Sequence, residues 1–165
     1  MIKPYILLLG LACTFFSSVK SAEPPKTFQA EDVFELEYAN DPRISPDGKY
    51  IVYERRSSDI MTDSMRSNIW IIKSDGTQNR PLVSGNTHAT TPRWSPNADR
   101  LVYLQTAKDG TEIIVRWMDT GQTARIVKLS IRPSSITWSP DGYWLAFTMP
   151  VKAESDPLAE PRKGP

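Results

Sequence analysis

Pro42-Arg43-Ile44-Ser45-Pro46-Asp47-Gly48-Lys49-Tyr50-Ile51-Val52-Tyr53 decides the fold, because the chain writes the same pattern twice more. The second copy is Pro92-Arg93-Trp94-Ser95-Pro96-Asn97-Ala98-Asp99-Arg100-Leu101-Val102-Tyr103, and the third is Ile136-Thr137-Trp138-Ser139-Pro140-Asp141-Gly142-Tyr143-Trp144-Leu145-Ala146-Phe147. Ser45 and Ser95 are 50 residues apart and Ser95 and Ser139 are 44 apart, the period of propeller blades. Each copy predicts a strand, a tight turn and a second strand. Proline presets φ at the second turn position, Asp tolerates the bridge region, and Gly accepts the positive φ that closes the hairpin. Ala98 stands where Gly48 and Gly142 stand. Alanine at positive φ costs about 1 kcal/mol, so a different geometry is expected for the second turn.

The strand after each turn has neighbouring apolar residues: Ile51-Val52, Leu101-Val102 and Trp144-Leu145. Successive side chains of a strand point to opposite faces, so these strands expect cover on both sides. Blades stacked around an axis provide it, as does the middle of a sandwich. The regular period favours the propeller. The expected fold is therefore all-β: about two and a half four-stranded antiparallel blades of a partial β-propeller, with a short N-terminal helix.

Working outward, residues 41–90 read as the first blade, 91–133 as the second and 134–150 as the start of a third. In the first blade a polar loop over 57–67 precedes a strand at 68–72, an Asp75-Gly76 hairpin and an edge strand from Arg80-Pro81, where proline need not donate to the ladder. In the second, a turn at 108–111 and another at 119–122 separate the strands. The segment 22–40 reads as a leader and a helix over 31–38, with Glu31 and Asp32 favourably near its N-terminus and its apolar side against the first blade. Residues 151–165 read as a Pro-rich polar excursion loop. Three blades, the last cut short, leave open sheet edges, so the chain is expected to be a piece of a longer protein.

Residues 1–21 have the charged, apolar and small-residue succession of a secretory signal peptide, with cleavage after Ser21 or Ala22. The apolar run is too short to span a bilayer, which takes roughly 20 residues. The only cysteine, Cys13, lies inside that signal, and an exported chain without disulfides suits a periplasm. Removing Lys3 and Lys20 leaves 18 basic against 19 acidic residues. That balance gives no electrostatic footprint for nucleic acid and none for an anionic membrane after cleavage.

No catalytic, cofactor-binding or metal-ligating residue is assigned. The Ser-Pro serines sit at the first turn position, where the hydroxyl can bond backbone amides two residues on, and none lies in a Gly-x-Ser-x-Gly elbow. His88 is the sole histidine and reads as a loop residue between the first two blades. Asp59 and Asp63 share a loop but lack the alternating oxygen ligands of a calcium site. Trp70, Trp94, Trp117, Trp138 and Trp144 read as core packing.

With these residues laid out, the run from Glu31-Asp32-Val33-Phe34-Glu35-Leu36 through Tyr53 resembles the start of the prolyl oligopeptidase family of serine peptidases, in its acylaminoacyl-peptidase and dipeptidyl-aminopeptidase-like branch. Asn68-Ile69-Trp70-Ile71-Ile72, Asp75-Gly76 and Arg80-Pro81-Leu82 continue the likeness. The resemblance implies a propeller that gates short peptides toward a C-terminal α/β-hydrolase domain carrying a Ser, Asp and His triad. None of those triad positions falls within these residues. The rival reading is a non-enzymatic periplasmic propeller binding a protein partner, similar to those of the Tol-type envelope system, although those place an α/β domain before the first blade.

Overall fold

The computed structural model describes residues 27–59 and 64–151. The expected signal peptide, Cys13, Asp63 and residues 152–165 lie outside them. Among the described residues, ten strands form three antiparallel sheets. The first sheet takes β1 (Glu37–Ile44), β2 (Tyr50–Asp59), β3 (Ser64–Lys73) and β4 (Arg80–Val83) in sequence order. The second takes β5 (Ala89–Trp94), β6 (Arg100–Ala107), β7 (Gly110–Trp117) and β8 (Thr123–Leu129), again in order. In the third, β9 (Ser134–Trp138) pairs with β10 (Leu145–Thr148). The first strands approach one another, β1 against β5 and β5 against β9, while among the described residues β4 and β8 have no contact comparable to these. The sheets therefore fan out like wedges from their first strands, which is a partial propeller.

Two apolar layers hold the wedges together. Between the first and second sheets lie Val52, Ile69, Ile71 and Leu82, facing Ala89, Leu101, Tyr103 and Ile114. Between the second and third lie Val102, Leu104, Ile113 and Val115, against Ile136 with Trp138, Leu145 and Phe147 at its margin. Leu101 to Leu104 are all at most 3% exposed, because β6 has a sheet on each side. The expected two-sided burial fails elsewhere: Ile51 and Tyr53 are half-buried and Ala146 is exposed, since only one face of each flanking sheet is covered among the described residues.

The three hairpins share one hydrogen-bond plan. Gly48, Ala98 and Gly142 donate their N–H to the carbonyls of Ser45, Ser95 and Ser139 at 2.8, 3.0 and 2.9 Å. Each serine hydroxyl donates to a carboxylate, on Asp47, Asp99 or Asp141. It accepts from the amide five residues on, Tyr50, Arg100 or Trp144, at 2.9 Å in every case, rather than two residues on. The serine hydroxyl is the main cause holding all three carboxyls below the usual aspartate range. Ala98 has φ +59°, beside +71° and +73° for Gly48 and Gly142, so the second turn keeps the same geometry despite its alanine. The carboxylate has moved instead, from the position of Asp47 to Asp99, because Asn97 cannot supply the charge.

Other expectations change in detail. The N-terminal helix is a 3₁₀ turn over Ala30–Glu35, closed by the Gln29 amide donating to the Asp32 carboxylate at 2.7 Å. It ends early because Glu37 and Tyr38 pair with Ser57 and Arg56 as strand, and so short a segment offsets little of the cost of helix nucleation. It touches β2, yet Val33, Phe34 and Leu36 remain exposed. Most of the expected loop over 57–67 is strand, since the β2–β3 ladder runs out to Asp59 and Ser64. The first two sheets begin at Glu37 and Ala89, ahead of 41 and 91, because each first strand starts before its repeated motif.

Gly110 has φ +137°, and a Cβ there would lie 2.1 Å from the Leu129 carbonyl oxygen. Gly48 has open space around it, so an alanine there meets only backbone strain. Urea unfolding of the chain should show Gly48→Ala losing about 1 kcal/mol and Gly110→Ala losing about 2–3 kcal/mol. Equal losses at the two sites would contradict the close approach of β7 to β8.

Candidate functional site

The residues best placed to meet a ligand lie along the inner strands. Each inner strand carries a bulge, two of its residues opposing one on the next strand: Asp41-Pro42 opposite Tyr53, Thr91-Pro92 opposite Tyr103, and Ser135-Ile136 opposite Phe147. The first residue of each is left-handed, at φ +47°, +59° and +51°. Proline fits the bulges because no ladder bond is asked of it. Thr91 is the strained member, since a β-branched residue seldom adopts positive φ.

A buried carboxylate stabilises that strain. Glu54 on β2 is 2% exposed, and its Oε1 accepts the Thr91 backbone N–H at 2.7 Å. Its Oε2 accepts from Asn40 Nδ2 at 2.9 Å and from Arg56 Nη2 at 2.7 Å. One side chain thus ties β1 and β2 to the bulge of the next sheet. Leu104 is the counterpart of Glu54 in the second sheet and is simply packed, so no equivalent carboxylate reaches the third bulge from that position.

Nearer the turns, Asp41 accepts from Arg43 Nε at 2.8 Å and from Arg93 Nη1 at 2.6 Å, the latter across the two sheets. The indole N–H of Trp94 donates to the Arg43 carbonyl at 3.0 Å, and that of Trp138 to the Arg93 carbonyl at 3.1 Å. This bond repeats from sheet to sheet. In the first sheet the same position is Ile44, 68% exposed. Together Arg43, Ile44, Arg93, Trp94 and Trp138, with the repeat prolines, line a cleft of about 340 Å³ drawn from all three sheets.

A second cleft, of about 460 Å³, opens at the other end of the first two sheets, between His88 and Thr106 on one side and Met65 and Arg66 on the other. His88 sits in the connection from β4 to β5. Burial, and then the charges of Arg132 and Arg56, push its imidazole below the usual range. Asp59 pairs with Arg66. Among the described residues no three of His, Cys, Asp and Glu gather as a metal set.

Of the tryptophans, Trp94 and Trp138 pack against the apolar layers, and Arg55 stacks 4.3 Å from the Trp70 ring centre. Trp117 and Trp144 depart from the expected core role, at 37% and 73% exposed. Trp144 precedes β10 on a sheet with one covered face. Glu54, Asp41 and Arg93 escaped the sequence reading. The only signal was a charge at Glu54 two residues after Val52, on the same face of a strand expected to be buried.

No family model matches the chain. Curated proteins do match: among them, uncharacterized peptidase YuxL of Bacillus subtilis is 27% identical over 125 residues, covering 75% of this chain and 19% of that protein. Dipeptidyl-peptidase 5 of Porphyromonas endodontalis is 23% identical over 113 residues, covering 68% and 16%. The chain spans about a fifth of the length of these relatives. Among solved structures, the propeller domain of the trilobed protease from Pyrococcus furiosus superposes with a TM-score of 0.58 at 21% identity, over 68% of this chain and 34% of that one. Pyrococcus horikoshii acylaminoacyl peptidase gives 0.60 at 18% identity, over 68% and 17%. These structures define the class, a β-propeller segment. Both curated relatives carry peptidase names, and the chain is similar to them over two thirds or more of its length.

Replacing Glu54 tests the inter-sheet tie. Glu54→Leu copies the second sheet but leaves the Thr91 amide and Arg56 without their acceptor. Chemical denaturation should show a loss of roughly 3 kcal/mol, with Glu54→Gln losing less. A neutral Glu54→Leu would mean that the carboxylate contributes nothing there.

Proposed function

We propose that this chain is the propeller segment of an exported serine peptidase and gates peptide access to an α/β-hydrolase domain elsewhere in the parent protein. The observation that carries this reading is the pair of peptidase relatives matched over two thirds or more of the chain, on wedges whose inner strands converge. A propeller over an active site admits short or unstructured peptides and keeps folded proteins out. Lys3, the apolar run after it and the small residues up to Ala22 support export to the periplasm or beyond. The chain's own repeat serines serve their hairpins, so it supplies entry and shape, and the parent's hydrolase domain supplies the nucleophile.

Labelling with a serine-reactive fluorophosphonate tests this directly. The full reading frame should be labelled, cleave chromogenic aminoacyl or acylaminoacyl substrates, and spare a folded protein containing the same bond. The 165-residue chain should stay unlabelled and give only the blank rate. A parent frame that closes its propeller without a Gly-x-Ser-x-Gly elbow, and stays unlabelled, would overturn the peptidase reading in favour of a binding propeller.

A further inference from the structure

We infer that the cleft at the turn ends of the inner strands is a peptide-carboxylate site: it takes a short extended segment in which a carboxylate follows proline or another apolar residue. This rests on the proposed peptidase-propeller reading and names the peptide chemistry such a segment would engage.

The cleft is built rather than incidental. Its walls are repeat-equivalent residues, Pro46, Pro96 and Pro140 beside Trp94 and Trp138, brought from three sheets to one mouth. Both indoles are fixed by hydrogen bonds to backbone carbonyls of the preceding sheet, and the Arg100 guanidinium lies over the Trp138 ring, 5.0 Å from its centre. Rigid aromatic faces flanked by prolines form a groove suited to a proline-containing extended chain. Ile44, 68% exposed, adds an apolar contact with no partner sheet over it among the described residues. At about 340 Å³ the space is at the small end for ligand clefts, which suits two or three residues rather than a long segment.

Charge sets the rest of the ligand. Arg43 and Arg93 both line the cleft, and both bind the single carboxylate of Asp41. Among the described residues no acidic side chain lines it, and of the hairpin carboxylates outside it Asp47 is paired with Lys49 and Asp99 with Arg100. Two guanidiniums on one carboxylate leave an excess positive charge, and the Arg43 side chain is 45% exposed. A second carboxylate is the group that balances it, and a guanidinium fork is the matching donor. The carboxylate can come from a free C-terminus or from an Asp or Glu side chain.

Tryptophan fluorescence and calorimetric titration of the 165-residue chain distinguish these sources. The probes are Ala-Pro-Phe with a free C-terminus, acetyl-Ala-Pro-Glu-amide, and acetyl-Ala-Pro-Phe-amide as the uncharged control. Saturable binding of at least one carboxylate peptide is expected, with the control about tenfold weaker and binding weakening as salt rises. Arg43→Ala should remove that tenfold preference while Arg93 still holds Asp41, and Ile44→Asp should abolish binding of the acidic peptides. Circular dichroism shows whether each variant folds, and the salt dependence of the unaltered chain tests the charge requirement without any variant. Absence of saturable binding to about 10 mM, well beyond the weak end of the affinity scale, would overturn the site. So would equal binding of all three peptides. A parent that is labelled and active while its propeller ignores these peptides would sink this inference alone, leaving the peptidase reading intact.

Discussion

The fold depends on contact between the faces of successive sheets, where apolar side chains meet, and two polar devices set the alignment. One device repeats: the indole N–H of Trp94 or Trp138 reaches a backbone carbonyl of the sheet before it. The other is unique to the first pair of sheets, where Glu54 accepts the amide of the strained Thr91. Apolar burial supplies the larger energy but is nearly indifferent to sliding. A directional bond to a fixed carbonyl is not, so the polar contacts choose the register that the apolar layers then stabilise.

That division explains why the middle sheet differs from its neighbours. β6 is covered on both sides, so its residues Leu101 to Leu104 are uniformly apolar and buried. β2 has one covered face, and there the alternation is Val52 and Glu54 inward against half-buried Tyr53 and Arg55. The inner ends gather opposite properties at their two extremities. The turn end brings rings, prolines and guanidiniums together, and the other end brings His88 and Arg66 to a cleft. A propeller segment positions functional groups in this way, by repeating one motif and varying the residues it presents.

Much of the architecture was legible because the Ser-Pro-Asp-Gly motif reports both turn chemistry and period. The four-strand plan of the first two sheets followed from it, and the edge position of Arg80-Pro81 followed from proline's missing N–H. The missed features share a physical cause. A left-handed bulge at Asp41, Thr91 and Ser135 is created by the meeting of strands, and no residue there advertises it as glycine would. Ala98 carried a misleading signal, since alanine tolerates the left-handed region when the surrounding hairpin fixes it. The contacts of Arg93 with Asp41, and of Glu54 with Thr91, join residues 52 and 37 positions apart, beyond the reach of local pattern. Exposure of Trp144 was equally hidden, because hydrophobicity does not say which face of a sheet has a neighbour.

The central claim is that successive copies of the motif are neighbouring wedges in direct contact at their inner strands. A double-mutant cycle on Asp41 and Arg93, using Asp41→Asn, Arg93→Gln and the pair in the full chain, measures that contact by urea unfolding. Sheets stacked as described predict a coupling of about 1 kcal/mol between these two positions. Additive effects, within about 0.3 kcal/mol, would mean that the first and second repeats do not meet there.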